Sequence, residues 1–156
     1  MVSLTTRIAP TFRSRLALIV AAALVLRVLY TVLATGRVEG LGDYQFFHGV
    51  AGTLVDGDGF ANPFLIGRGE VRPTALHPPL WPLVLSGFSA LGLDTEMAHK
   101  LAGTLLGTGA VAVIGLLGRR VGGNCVGLTA AGLAAVYPLF IGSDGSLMSE
   151  SLYGLL

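Results

Sequence analysis

LALIVAAALVLRVLYTVLAT, residues 16–35, is an apolar run interrupted by a single charge, Arg27, and its reading decides the class of fold. Roughly 20 residues at about 1.5 Å each cross a hydrocarbon core of about 30 Å, so the run predicts a transmembrane helix. Residues 1–15 before it carry Arg7, Arg13 and Arg15 and no acid. A basic start and an apolar core also fit a cleaved signal peptide, but Arg27 breaks the core and no good small-residue cleavage site follows. A mid-span arginine costs about 2.5–3.5 kcal/mol on insertion scales and turns towards protein or water. Arg27 therefore has two readings. It is either paired within a bundle or snorkelling to an interface, or it is an anion contact beneath an outer site.

The whole chain agrees with the run. It has 156 residues, 53% hydrophobic, 12% charged, with a mean hydropathy of +0.74; a soluble domain carries about 25% charged residues, so the composition is that of a membrane protein. Glycine, at 23 residues, suits helices packed closely in lipid. A net charge of +1 supplies no basic surface, so no nucleic-acid partner is expected. The lone Cys125 lies in an apolar run, which gives disulfide and thiolate-metal readings almost no support and predicts a packing role.

Outward from the first span, residues 36–96 hold seven of the nine acidic residues. In YQFFHGVAGTLVDG, Phe47, Val50, Ala51 and Leu54 recur at i, i+3, i+4 and i+7, one face of an amphipathic helix lying on the membrane surface. Asp56-Gly57-Asp58-Gly59 ends it; Phe60 stands where a calcium loop needs its third oxygen, so a glycine turn is the reading. Residues 61–75 look irregular. The run after LHPPLWP, from Leu80 to Leu93, is about 14 residues, the range of interfacial or re-entrant segments rather than spans; it predicts a second juxtamembrane helix, with Pro82 blocking extension towards its start, the alternative being a span that would put Arg119 and Arg120 outside. Trp81, Phe46 and Phe47 read as interfacial anchors.

Met97 to Gly118 is a second span with Gly103 and Gly107 as a GxxxG, and Cys125 to Ser143 a third with Gly127, Ala131 and Ala135 at four-residue spacing. Arg119-Arg120 between them, like residues 1–15, carries arginine without acid, so positive-inside logic puts both segments in the cytoplasm and 36–96 outside. The predicted fold is all-α, polytopic membrane helices with an outer loop carrying two juxtamembrane helices, one domain over 1–156. A fourth span starts at Glu150 and stops without a cap, which is the expectation for a longer chain.

Chemistry has three outer places under this topology: Asp43, His77, and the pair Asp144 and Glu150. A partly desolvated carboxylate serves as general base, or holds a divalent cation with a histidine. Each has a plainer reading. Asp43 is placed as a helix N-cap, His77 before Pro78 as an ordered turn, and Asp144 and Glu150 as an acidic turn in water.

The first span with its arginine, GDY before a surface helix, DGDGF, PTALHPPLWPLVLSGFSALG, HKLAGTLLG, the GRRVGG turn and MSESLY together resemble the N-terminal part of a bacterial polyprenyl-phosphate-dependent membrane glycosyltransferase. This is the GT-C superfamily, which includes protein O-mannosyltransferases and lipid A aminoarabinose transferases (glycosyltransferase family 39-like). The resemblance implies a multi-pass protein of the plasma membrane. It implies inverting transfer of a sugar from a polyprenyl-phosphate donor to a lipid, glycan or protein acceptor at the outer face, with membrane lipids as surroundings. It implies Asp43 as base, or as organiser of a divalent metal ion with His77; many members have Asp-Glu where this chain has Asp43-Tyr44. Arg27, Arg72 and His77 are then candidates for the donor phosphate, and Glu150 stands where an acid often occurs in the second outer loop. Two other classes compete: a transporter or channel in which Arg27 and the outer acids line a path, which broken spans would favour, and a non-catalytic membrane scaffold.

Overall fold

In the computed structural model, which describes residues 11–35 and 42–156, every regular element is a helix. The expectations for residues 1–10 and for the opening of the polar loop at 36–41 lie outside the described residues. In chain order the elements are α1 (Phe12–Ala34), α2 (Asp43–Asp56), α3 (Pro63–Ile66), α4 (Leu80–Ala90), α5 (Glu96–Val136), α6 (Pro138–Gly145) and α7 (Glu150–Tyr153). Two of them, α1 and α5, are long and apolar enough to cross a membrane.

Helix α1 starts where the Thr11 hydroxyl accepts from the Ser14 backbone N–H, satisfying one of the free donors of a first turn. Its exposure is inverted relative to a helix on a soluble protein. Leu18, Val25, Leu29 and Leu33 face outward, Leu18 with 68% of its surface exposed, while Arg27 and Thr31 are fully buried.

Helix α5 is two helices. Gly122 and Gly123 leave helical geometry, Gly123 at φ +80°, and the chain reverses there; the left-handed conformation is one that glycine adopts without a steric penalty. The two arms pack with almost no side chain between them. A Cβ on Gly127 would come within 2.5 Å of the Gly115 carbonyl oxygen, and one on Gly115 within 2.5 Å of Leu16 and 3.1 Å of Ala131. Small residues thus let the two backbones approach, and the predicted stripe Gly127, Ala131 and Ala135 is buried, together with Ala134.

Contacts along α1 set the register of the bundle. Arg119 lies over the Phe12 ring, Leu16 lies at Gly115, Thr31 bonds Thr104, and Lys100 reaches the Thr35 carbonyl. Helix α1 and the first arm of α5 are therefore antiparallel, and the Phe12 end lies beside the Arg119–Gly123 turn. Arg13 and Arg15 thus sit at the same end as Arg119 and Arg120, and the α2–α4 segment lies towards the other.

The expected continuous span 125–143 is broken. Tyr137 is extended and Pro138 opens α6, because proline has no N–H to continue the ladder and disfavours a helical residue before it. Cys125 is exposed just after the glycine turn rather than packed. Helix α7, where a fourth span was expected to begin, runs from Glu150 to Tyr153.

At the other end, α2 packs its Phe47, Val50 and Ala51 face as the periodicity predicts, ending at Gly57 with φ +90°. Residues 61–75 are not wholly irregular: Asn62 caps α3, and Ala61 bridges Pro73. Pro82 falls in the first turn of α4, where its missing N–H leaves no bond unmade. The interfacial-anchor reading of the aromatics is overturned. Trp81, Phe46 and Phe47 are core, packed with Val50, Leu85, Ala102, Leu147 and Leu152. The Trp81 indole N–H donates to the Leu147 carbonyl at 3.0 Å, tying α4 to the segment before α7.

Candidate functional site

Two of the sequence-predicted residues meet at the start of α2. Asp43 is the first residue of the helix and not its N-cap, which is Gly42, and no side chain caps that end. A carboxylate in a first turn is still favoured by the helix dipole. The ring of His77 lies against Phe46 and Phe47, with centroids at 4.8 and 5.0 Å. This directs its Nε2 to 3.5 Å from an oxygen of Asp43. The two aromatic rings fix the imidazole, while the Asp43 side chain keeps 53% of its surface exposed. The result is a fixed imidazole beside an accessible carboxylate, at a distance too long for a strong hydrogen bond. Beside His77, Phe60, Thr74, Ala75 and the two following prolines line an open groove.

Arg72 does not join this pair: its guanidinium is 2.9 Å from Glu70 on an exposed loop. Glu150 is exposed at the start of α7 and lines a separate small cavity with Asp144, Ser151 and Gly107.

Arg27 lies in the bundle. Its Nε donates to Asp144 at 2.7 Å, Nη1 to the Ala135 carbonyl at 2.9 Å and Nη2 to the Ala134 carbonyl at 3.0 Å, and no part of it is exposed. Those carbonyls are the ones that the break before Pro138 leaves without helical partners. Asp144, expected in an outer turn facing water, is buried instead. It takes Arg27 on one oxygen and the Ser151 hydroxyl on the other at 2.7 Å. Gly107 makes room for it, since a Cβ there would collide with the carboxylate. Arg27 follows the bundle-pairing reading, with every donor nitrogen engaged by protein atoms.

Three polar residues that the sequence reading passed over also gather here. Lys100, buried, pairs with Glu96 one turn earlier and sits over the Tyr44 ring. His48 of α2 and His99 of α5 meet ring to ring. The Glu96–Lys100 spacing of four was visible in the sequence; nothing local joins His48 to His99. Among the described residues, no group of three or more His, Cys, Asp or Glu side chains is placed to hold a metal ion. No protein-family model, no curated protein and no solved structure matches this chain.

Proposed function

We propose that the protein is an integral membrane glycosyltransferase, or the part of one that carries its acceptor base. The observation that carries this reading is the Asp43–His77 pair, with its exposed carboxylate beside an imidazole fixed by Phe46 and Phe47. The membrane setting rests on the inverted exposure of α1 and on the bundle's small-residue packing. Placing the basic end in the cytoplasm puts the pair at the outer face.

The reaction asks little of the site beyond that pair. An acceptor hydroxyl oxygen attacks the anomeric carbon, the bond from that carbon to the polyprenyl phosphate oxygen breaks, and the configuration inverts. The hydroxyl proton passes to the Asp43 carboxylate as general base, and the bond electrons leave with the polyprenyl phosphate. His77, when protonated, places a positive charge beside the departing phosphate. Asp43 and His77 are also the residues that would hold a divalent ion, because an oxygen and a ring nitrogen at 3.5 Å are near the spacing of two ligands on one cation. Such an ion would neutralise charge on the phosphate. The donor's lipid tail would lie along the apolar outer surfaces of α4 and the bundle.

The transporter reading has one observation in its favour, the broken helix at Tyr137–Pro138. The carbonyls released there are capped by Arg27, not left to coordinate an ion, so we rank it second.

Asp43→Asn in the full-length protein is expected to lower sugar transfer from a polyprenyl-phosphate donor by about 10²-fold or more, the usual contribution of a general base. Membrane insertion, abundance and thermal stability should be unchanged. Transfer at the unmodified rate would remove Asp43 from the mechanism.

A further inference from the structure

His48 and His99 come from different helices and approach with their Nδ1 atoms 3.0 Å apart. His99 is fully buried and His48 half-buried. The other ring nitrogen of His99, Nε2, is 2.9 Å from the hydroxyl oxygen of Ser89, itself buried near the end of α4. The two rings edge a cleft of about 250 Å³ whose lining also includes Asp56 and Asp94.

Two facing ring nitrogens must be bridged by something. Either one carries a hydrogen and donates it to the other, or both present lone pairs to a cation. Ser89 accommodates either arrangement, and the carboxylates of Asp56 and Asp94 on the same cleft favour the second. When His99 donates its Nε2 hydrogen to the Ser89 oxygen, its Nδ1 is left as a lone-pair nitrogen aimed at His48. A hydrogen-bond acceptor on the ring nitrogen away from the ion is what a metal-bound histidine ordinarily has. The spacing also fits. Two nitrogens at about 2.0–2.1 Å from one tetrahedral ion stand about 3.3 Å apart, so the rings need to open by only a few tenths of an ångström.

We infer that His48 and His99 form a binding site for a divalent transition cation of the zinc class, with Ser89 orienting His99. The remaining positions fall to water and to a carboxylate of the cleft. Asp94, in the turn between α4 and α5, and Asp56, which ends α2, are exposed and line the same cleft. Imidazole pairs select zinc, copper, nickel or cobalt over magnesium and calcium. An ion here would pin α2 and α4 to the head of α5. The inference is independent of the glycosyltransferase reading, since its ligands are separate from Asp43 and His77.

The test is zinc titration of the detergent-purified full-length protein by calorimetry, with cobalt absorption as a second readout. One zinc is expected at this site, weakened about 10- to 100-fold by Ser89→Ala and, with His77→Ala removing the other candidate cation pair, abolished by His48→Ala or His99→Ala. It should be retained in Asp43→Asn and His77→Ala and unaffected by excess magnesium. His48→Gln, at the edge of the cleft, serves if the buried His99→Ala fails to fold. No zinc binding by the unmodified protein, binding that survives the His48 substitutions in a His77→Ala background, or binding lost in Asp43→Asn would each overturn the assignment. The first outcome leaves a simple hydrogen bond between the rings.

Discussion

Arg27 with Asp144 and His77 with Asp43 are both pairings of a nitrogen base with a carboxylate, and they are built to opposite specifications. The first is a 2.7 Å contact between side chains 0% and 4% exposed, with each guanidinium nitrogen and each carboxylate oxygen engaged. The second is a 3.5 Å approach with the carboxylate half in solvent. A buried pair with every group satisfied has no capacity left for a reactant, and its removal strands a charge. A loose, accessible pair contributes little to stability and can accept a proton or a ligand. Arg27 and Asp144 therefore hold the helices, and of the two pairs only Asp43 and His77 are accessible to a reactant.

The largest effect should come from breaking the inner pair. Arg27→Leu leaves Asp144 buried without its partner and the Ala134 and Ala135 carbonyls uncapped, a loss of about 3–5 kcal/mol by analogy with buried pairs elsewhere. Thermal unfolding in detergent should show a lowered midpoint, and abundance in the membrane should fall. Replacing both residues by leucine should recover part of the loss, since no unpaired charge remains. An Arg27→Leu protein as stable as the parent would show that the pair does not hold the bundle.

How much of this was legible follows the same division. The helix over the first apolar run, the helix over 97–118, the α2 face and the glycine turn after it are local patterns, carried by hydropathy and by spacings of three and four residues, and they reappear in place. The partners are not local. Arg27 and Asp144 are 117 residues apart, and which acid meets the arginine depends on the register of α1 against α5 and on the break before Pro138. Proline marked the break, but a mean over the run 125–143 concealed it. Trp81 misled because an aromatic near an interface and an aromatic in a small core look alike in sequence. Only the Leu147 carbonyl, offered from a residue at φ +58°, distinguishes them. His77 and Asp43 stand far apart in the chain, and their meeting depends on the two phenylalanine rings.

A middle-sized effect tests the joint between the two regions. Trp81→Phe keeps an aromatic ring in the core around Phe46, Phe47 and Leu85 but removes the donor to Leu147. The expected loss is about 1–3 kcal/mol, the cost of an unsatisfied buried acceptor. It should appear in hydrogen exchange as faster exchange in α2 and α4, with the Gly115–Ala131 packing still protected. Equal loss of protection throughout would mean that the two regions unfold as one unit.

The smallest effect is the most discriminating for the candidate site. His77→Ala on its own confuses two contributions, because the ring also packs on Phe46 and Phe47. A double-mutant cycle with Asp43→Asn cancels the packing contribution and leaves the pair's own coupling. For a half-exposed contact at 3.5 Å that coupling should be below about 1 kcal/mol in stability. The same cycle on Arg27 and Asp144 should exceed about 2 kcal/mol. A coupling between Asp43 and His77 as large as the inner one would make them a structural lock as well. The exposed carboxylate would then no longer be free to take the proton that the proposed chemistry requires.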